Sequence, residues 1–501
     1  MVSILFASFF IIIAILIYIY FKRSYSPSSD DLPGVKPQLF FGNILNSGML
    51  TGKSTVTQIM LEYQLRFGDK FQFWFGSHRC LTFCRMEHVQ AIFSDRHTFE
   101  QSPLFLPNFD LLCPNGIFVL SGLKWKRHIR VLLPMLKRTK IIVHLESIVQ
   151  CADRFIDRNL HPNDVHRDLR SCCQSFTMNV IGLLEFDYDF DLQINVPIKK
   201  AFYNFVYQAA LLMYIPWIPR WLQKLYLKFN WNYQKSYRLI HGLAKKLVEE
   251  EQNKYHDMTN ERPKTLIASL VSSLNEQAND EHSSSGITRT EMLDEVLTMI
   301  AAGYETTSTA LSWFIFFASK NPQVQQRMKD ELREHHLLMT DDHINAPPLT
   351  PENLASLTYC ECVTKEVLRL APIAPITTRI ATCDTTVDDV KIHRGQTIFI
   401  PLHNINTDAR YWHHGDPRKF LPERFLAEDQ NHHPLTMIPF GGGHRACIGQ
   451  ELAWLELKIV IVRMMQRGIT FEDTPENTGG YEEHVTCFPK HLVARIHFDK
   501  Y

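Results

Sequence analysis

Between Thr288 and Asn321 runs a stretch of about 30 residues in helical register, MLDEVLTMIAAGYETTSTALSWFIFFASK, that is apolar on most of its faces. Thr288 and Glu291 stand in the spacing of a capping box at its start, and Asn321-Pro322 stops it. Such a helix spans ~45 Å. Because it lacks a broad polar face it must be covered all round, which only a large core can do. A chain of 501 residues, 45% hydrophobic, supplies that cover without disulfide staples.

Two further helices are predicted. One starts at Thr350-Pro351, where proline suits a first helical turn, and ends near Ala371-Pro372. The other begins just after Gly449 and runs through QELAWLELKIVIVRMMQR. Short β-branched runs at Thr385–Ile392 and Thr397–Ile400 predict a small sheet beside the helices. The expected fold class is therefore mainly α with a small β part (α+β). Polar loops around 253–264 and 275–289 mark no domain boundary, so residues 51–501 are read as one large domain.

Lys+Arg and Asp+Glu are both 53, so no overall charge points to nucleic acid as a partner. Eleven cysteines at irregular spacings offer neither a zinc ribbon nor a disulfide framework, and a reducing compartment fits them. Val2–Phe21 is an uncharged run of 20 residues, enough to cross a hydrocarbon layer of ~30 Å. No basic segment precedes it and no small-x-small cleavage site follows. Residues 1–23 are thus read as a retained transmembrane anchor rather than a cleaved signal peptide. Lys22-Arg23 places the rest in the cytosol by the positive-inside rule. Residues 24–50, beginning SYSPSSDDLPGVKP, read as a stiff Pro-rich connector.

Chemistry concentrates in Phe440-Gly441-Gly442-Gly443-His444-Arg445-Ala446-Cys447-Ile448-Gly449. Successive glycines let a backbone lie close against a flat ligand. A cysteine at the start of a helix meets free N–H groups and the positive dipole end, which favour the thiolate an iron ligand needs. A lone cysteine is otherwise most often a small buried hydrophobe. The segment closely resembles the haem-binding loop of the cytochrome P450 family, F-x-x-G-x-R-x-C-x-G, and matches it at every specified position. The resemblance, to the microsomal eukaryotic type, implies the cytochrome P450 fold. Cys447 would be the axial ligand of haem iron, Arg445 would meet a haem propionate and Phe440 would pack beside the sulfur. Ala302 stands where the fatty-acid ω-hydroxylase branch often has a Glu esterified to haem, so haem b is expected to be held non-covalently.

Three more matches follow in the family's order. In Ala302-Gly303-Tyr304-Glu305-Thr306-Thr307 a glycine and two threonines interrupt the long helix, and a local opening is expected there. Read alone, this is a solvated Glu followed by core threonines. The resemblance makes Glu305 and Thr306 an acid–alcohol pair that hands protons to oxygen as it is reduced, and sets Gly303 among the residues at the cofactor. Glu366 and Arg369, three apart on a helix, can pair, which by itself is a surface contact worth ~0–1 kcal/mol. The resemblance implies that they are buried, joined by Arg424 of Pro422-Glu423-Arg424-Phe425, and brace the Cys447 loop. Arg379 in PITTR matches a position that contacts propionate. One departure stands out: the family's W-x-x-x-R, both on the propionates, is here Trp125 followed at that offset by Ile129. His128 or Arg130 would take over by a slight rotation of the helix.

The stretch Lys124 to Lys140 carries Lys124, Lys126, Arg127, Arg130, Lys137, Arg138 and Lys140. A basic run is ordinarily a solvated face; the resemblance implies a docking face for an acidic flavoprotein reductase. The implied function is a monooxygenase that inserts one oxygen atom of O2 into a lipophilic organic substrate, with electrons from NADPH through NADPH-cytochrome P450 reductase and cytochrome b5 as a second partner. The implied location is the endoplasmic reticulum membrane, single-pass, with the catalytic domain cytosolic. Phe105–Phe118, Phe202–Trp221, Ala301–Thr306 and Ile373–Thr377 resemble substrate-recognition regions. They are mostly apolar, and the second is aromatic enough to dip into a bilayer surface. Two rivals are a peroxide-rearranging isomerase, which tends to lack the acid–alcohol pair, and a haem sensor, in which that pair would have no task.

Overall fold

Aromatic strand residues and a capped helix open the fold. The computed structural model describes residues 15, 18, 19, 32–104, 109–193, 196–213, 215, 218–257, 265–279, 286–339 and 346–499. Helix α1 (Val56–Phe67), held at its start by a Thr55/Gln58 capping box, leads into the hairpin of β1 (Lys70–Phe75) and β2 (His78–Phe83), then α2 (Met86–Ser94) and β3 (Phe99–Gln101). A helical series follows: α3 (Gly122–Leu132), α4 (Leu145–Asn159), α5 (Leu169–Phe186), α6 (Val196–Met213), α7 (Arg220–Phe229), α8 (Trp231–Asp257), α9 (Leu266–Asn279) and α10 (Arg289–Lys320). Next come α11 (Pro322–Glu334), α12 (Pro351–Ser356) and α13 (Thr358–Leu370). Strands β4 (Ile376–Ala381), β5 (Thr385–Val387), β6 (Val390–Ile392) and β7 (Thr397–Pro401) precede α14 (Gln450–Gln466). The chain closes with β8 (Ile469–Asp473), β9 (Gly479–Glu483), β10 (Cys487–His491) and β11 (Ala494–Phe498).

The long helix is α10, 32 residues from its Thr288/Glu291 capping box to Asn321. It packs on α5, α8, α13 and α14 and on strands β8 and β10, so most of its length is covered as its apolar faces require. The largest sheet has five strands in the order β1-β2-β7-β4-β3; β2 and β7 run parallel and the other neighbours antiparallel. Its β3–β4 register sets Gln101 opposite Arg379 and Glu100 opposite Ile380.

Three expectations are revised. The helix from Thr350 is two helices, broken at Leu357, because the Glu331 carboxylate of α11 accepts the N–H groups of Tyr359 (2.6 Å) and Cys360 (2.9 Å) and so caps a new start. Thr385–Ile392 is the hairpin β5–β6, turning at Asp388 with φ +55°. Residues 32–50 of the expected connector belong to the folded body: Gln72 N donates to Pro33 O (2.9 Å), Trp74 N to Asn43 Oδ1 (2.8 Å), and Ile44 is buried. The apolar run 2–21, expected as an anchor, lies almost wholly outside the described residues, as do 258–264 and 280–285 of the two expected polar loops; residues 253–257 and 275–279 instead end helices α8 and α9. Among the described residues no helix is long and apolar enough to cross a membrane.

Candidate active site

Cys447 ends a loop closed by its own N–H, which donates to Phe440 O at 2.9 Å. The glycines before it answer to a neighbour: a Cβ at Gly442 would lie 2.4 Å from the Phe93 ring of α2, and one at Gly443, with φ +68°, 2.7 Å from Phe93 O. Around Gly441, with φ +71°, there is open space. At Gly442 and Gly443 close packing on α2 is itself a reason for glycine. Helix α14 starts three residues beyond Cys447, so the dipole acts at a distance. Burial pushes the Cys447 thiol up, and the Gly449 N–H pulls the other way. Protein therefore surrounds Cys447 closely, yet its side chain is exposed.

Helix α10, which packs on α14, has an open stretch amid its buried residues. Ala302 is exposed and Thr306 half-buried, whereas Ile300, Tyr304, Glu305 and Thr307 are buried. Gly303, expected at the cofactor, packs closely on α5: an added Cβ would meet Ile181 Cδ1 at 2.8 Å. Thr306 Oγ1 donates back to Ala302 O at 2.8 Å, yet α10 continues without the expected break.

Glu305 points to the other side of α10 and is 3% exposed. Its carboxylate accepts from Gln174 Nε2 of α5 (3.2 Å) and Thr486 Oγ1 (3.1 Å). Burial raises its pKa, opposed by Arg170 and by these hydrogen bonds, so it holds a proton more readily than an ordinary carboxylate.

Cations gather beside the Cys447 loop. Arg445 lies over the Trp125 ring of α3, 4.3 Å from its centroid, and donates to Glu100 Oε1 (2.8 and 3.1 Å) and Leu120 O (2.9 Å). Arg379, 1% exposed, donates to Thr377 Oγ1 (3.1 Å), Thr378 O (2.9 Å) and Gly442 O (3.0 Å). Among the described residues no carboxylate forms an ion pair with Arg379; burial and then the charge of Arg445 lower its pKa to about 10. Neither substitute for the missing arginine meets this cluster: His128 is fully buried against Glu295 of α10, and Arg130 is exposed.

Glu366, Arg369 and Arg424 meet with no exposed side-chain area. Arg369 donates to Glu366 at 2.7 and 2.8 Å and Arg424 at 3.0 Å, and Leu421 N adds 2.9 Å. The link onward runs through Asn406, whose carbonyl accepts from Arg369 Nη1 (2.9 Å) and whose Oδ1 accepts from Ile438 N (2.8 Å), two residues before Phe440.

A family model described as Cytochrome P450 matches residues 32–477. The chain belongs to the cytochrome P450 family. Among its relatives are Protein LUTEIN DEFICIENT 5, chloroplastic, of Arabidopsis thaliana, 26% identical over 436 residues (83% of this chain, 69% of the relative), and Cytochrome P450 4V2 of Homo sapiens, 25% identical over 429 residues (81% and 78%). Putative cytochrome P450 132 of Mycobacterium tuberculosis is 35% identical over 208 residues (42% and 43%). As a P450 the chain has the mostly helical fold with a small sheet part and is a haem-thiolate monooxygenase, an oxidoreductase.

The residues of this P450 fit haem. Cys447 is exposed, and the buried Arg379 guanidinium has only neutral acceptors in contact, suiting an anionic group such as a propionate. Sequence reasoning missed Phe93, Glu100, Gln174, Asn406 and Thr486. Each lies far along the chain from the motif it touches, and none belongs to a pattern of its own.

Proposed function

We propose that this P450 inserts one oxygen atom of O2 into a lipophilic organic substrate, using electrons from NADPH delivered by a flavoprotein reductase, with cytochrome b5 as a second donor. The observation that carries the reading is an exposed Cys447 thiol just ahead of α14, together with a buried, proton-holding Glu305 beside Thr306 on α10, the helix that packs against α14. Haem b, held without a covalent ester because Ala302 offers no carboxylate, supplies an iron centre for activating oxygen.

Cys447 would hold the metal as thiolate, since coordination deprotonates a thiol even where burial raises its pKa. Phe440 would pack beside that sulfur, while Arg445, Arg379 and Trp125 would orient the propionates. Glu305 keeps a proton because burial disfavours its charge, and Thr486 and Gln174 fix the carboxyl in place. Thr306 donates its own proton to Ala302 O, which leaves its oxygen free to accept a hydrogen bond. The pair would meter protons one at a time. Glu366, Arg369 and Arg424 would brace the Cys447 loop through Asn406.

Lys124, Lys126, Arg130, Lys137, Arg138 and Lys140 are exposed, which supports this face as the entry for electrons from an acidic partner; Arg127 pairs with Glu291 instead. Exposed Trp221, Phe229 and Trp231 on and beside α7 support contact with a bilayer, from which an apolar substrate would enter. With residues 1–23 as a single-pass anchor, the catalytic domain, beginning near residue 32, would face the cytosol from the endoplasmic reticulum membrane. The test is turnover of candidate lipophilic compounds by the full chain with reductase, NADPH and isotopically labelled O2. One labelled oxygen per product is expected; rearrangement of a hydroperoxide into an isomeric product without NADPH would turn the reading towards an isomerase.

A further inference from the structure

Arg445, expected to be free for a haem propionate, is already engaged. Its Nε and Nη2 both donate to Glu100 Oε1, its Nη1 to Leu120 O, and its plane covers Trp125. The same oxygen accepts from Gln101 N (2.9 Å) and faces His444 Nε2 (3.3 Å). Pairing of β3 with β4 fixes the Glu100 backbone in the sheet beside Arg445.

The charge balance on this side is short of cations. Arg379 and Arg445 are the buried guanidiniums, Glu100 offsets one of them, and His444 is held below its ordinary pKa chiefly by burial, so near neutral pH it adds little. The third cation that the family pattern places four residues after Trp125 is Ile129 here, on the same helical face as Trp125. One net positive charge therefore meets the pair of propionates that haem b carries.

We propose that Glu100 is a built-in competitor for the haem propionates: by occupying Arg445 it keeps the empty rim ordered and, in exchange, sets how tightly this P450 holds its cofactor. This rests on the haem reading above. Glu100→Gln preserves the shape and removes the competing charge. A hydrogen bond to a charged group is worth ~1.5–3 kcal/mol, and even a part of that, ~1.4 kcal/mol, is a factor of ten.

The experiment follows haem loss from the full-length holoprotein to excess haem-free myoglobin by absorbance, after circular dichroism has shown the variant folded. E100Q should lose haem about tenfold more slowly than wild type, and the advantage should vanish with haem dimethyl ester, whose propionates are uncharged. Equal or faster loss from E100Q overturns the proposal, because a carboxylate that merely positions Arg445 would hold haem better than glutamine does. An advantage that persists with the dimethyl ester overturns it as well. Should E100Q not fold, Ile129→Arg decides, since a cation added to the same deficit must slow loss. Failure of the wild type to bind haem through sulfur, read from its carbon monoxide spectrum, would instead sink the underlying reading.

Discussion

Replacing Glu366 by glutamine exposes the energetics of the buried network behind the Cys447 loop. Glu366, Arg369 and Arg424 have no exposed side-chain area, and one carboxylate accepts four hydrogen bonds. Glutamine keeps the volume, so no cavity cost arises. It leaves Arg369 with neutral acceptors only, while Arg424 keeps Asp429 at 3.3 Å. Removing one partner of a buried pair costs ~3–5 kcal/mol because the remaining charge is buried without compensation. At ~2.1 cal/mol/K per residue, unfolding a chain of this length carries an entropy of about 1 kcal/mol/K, so Tm should fall by ~3–5 °C. Thermal unfolding by circular dichroism measures it. As an internal reference, Asp330→Asn breaks the exposed Arg333–Asp330 pair and should change nothing measurable. A Glu366→Gln shift no larger than the reference would refute the reasoning.

Glu305→Gln cannot release a proton, and product formed per NADPH should fall by about 10²-fold while NADPH consumption continues; unchanged coupling would remove Glu305 from proton delivery. Lys126→Glu should slow reductase-supported turnover, most at low salt, and leave peroxide-driven turnover alone; an equal effect on both would place the residue elsewhere in the mechanism. Burial pushes Glu185 up to about 8, above its unfolded value, so the folded state keeps a proton that the unfolded chain gives up. Its stabilising share is complete below the unfolded pKa near 4.5 and is lost as pH rises through about 8. Glu185→Gln should therefore gain on wild type in Tm between pH 5 and 8, and a pH-independent difference would contradict the assigned burial.

Legibility in the sequence followed the range of the interactions. Helix α10 could be placed to within a residue because Thr288, Glu291 and Asn321-Pro322 are local signals acting within one turn. The break at Leu357 was hidden because its cause, Glu331, lies on another helix. The glycine loop was visible as a pattern while its physical cause was not: Phe93 stands some 350 residues earlier. Glu100 and Asn406 carry no motif, and only the β3–β4 register and the Arg369 contact bring them to the site. Ile129 was legible as a departure, but the reach of Arg130 and His128 depended on how α3 sits against α10.

Sulfur ligation is tested most directly by the absorption spectrum of the reduced carbon monoxide complex, recorded for wild type, Cys447→Ala and Cys487→Ala. Wild type and Cys487→Ala, which alters a fully buried cysteine, should both show the long-wavelength Soret band of thiolate ligation, and Cys447→Ala should lack it. A Cys447→Ala protein that keeps the band would contradict the assignment of Cys447 and everything built on it.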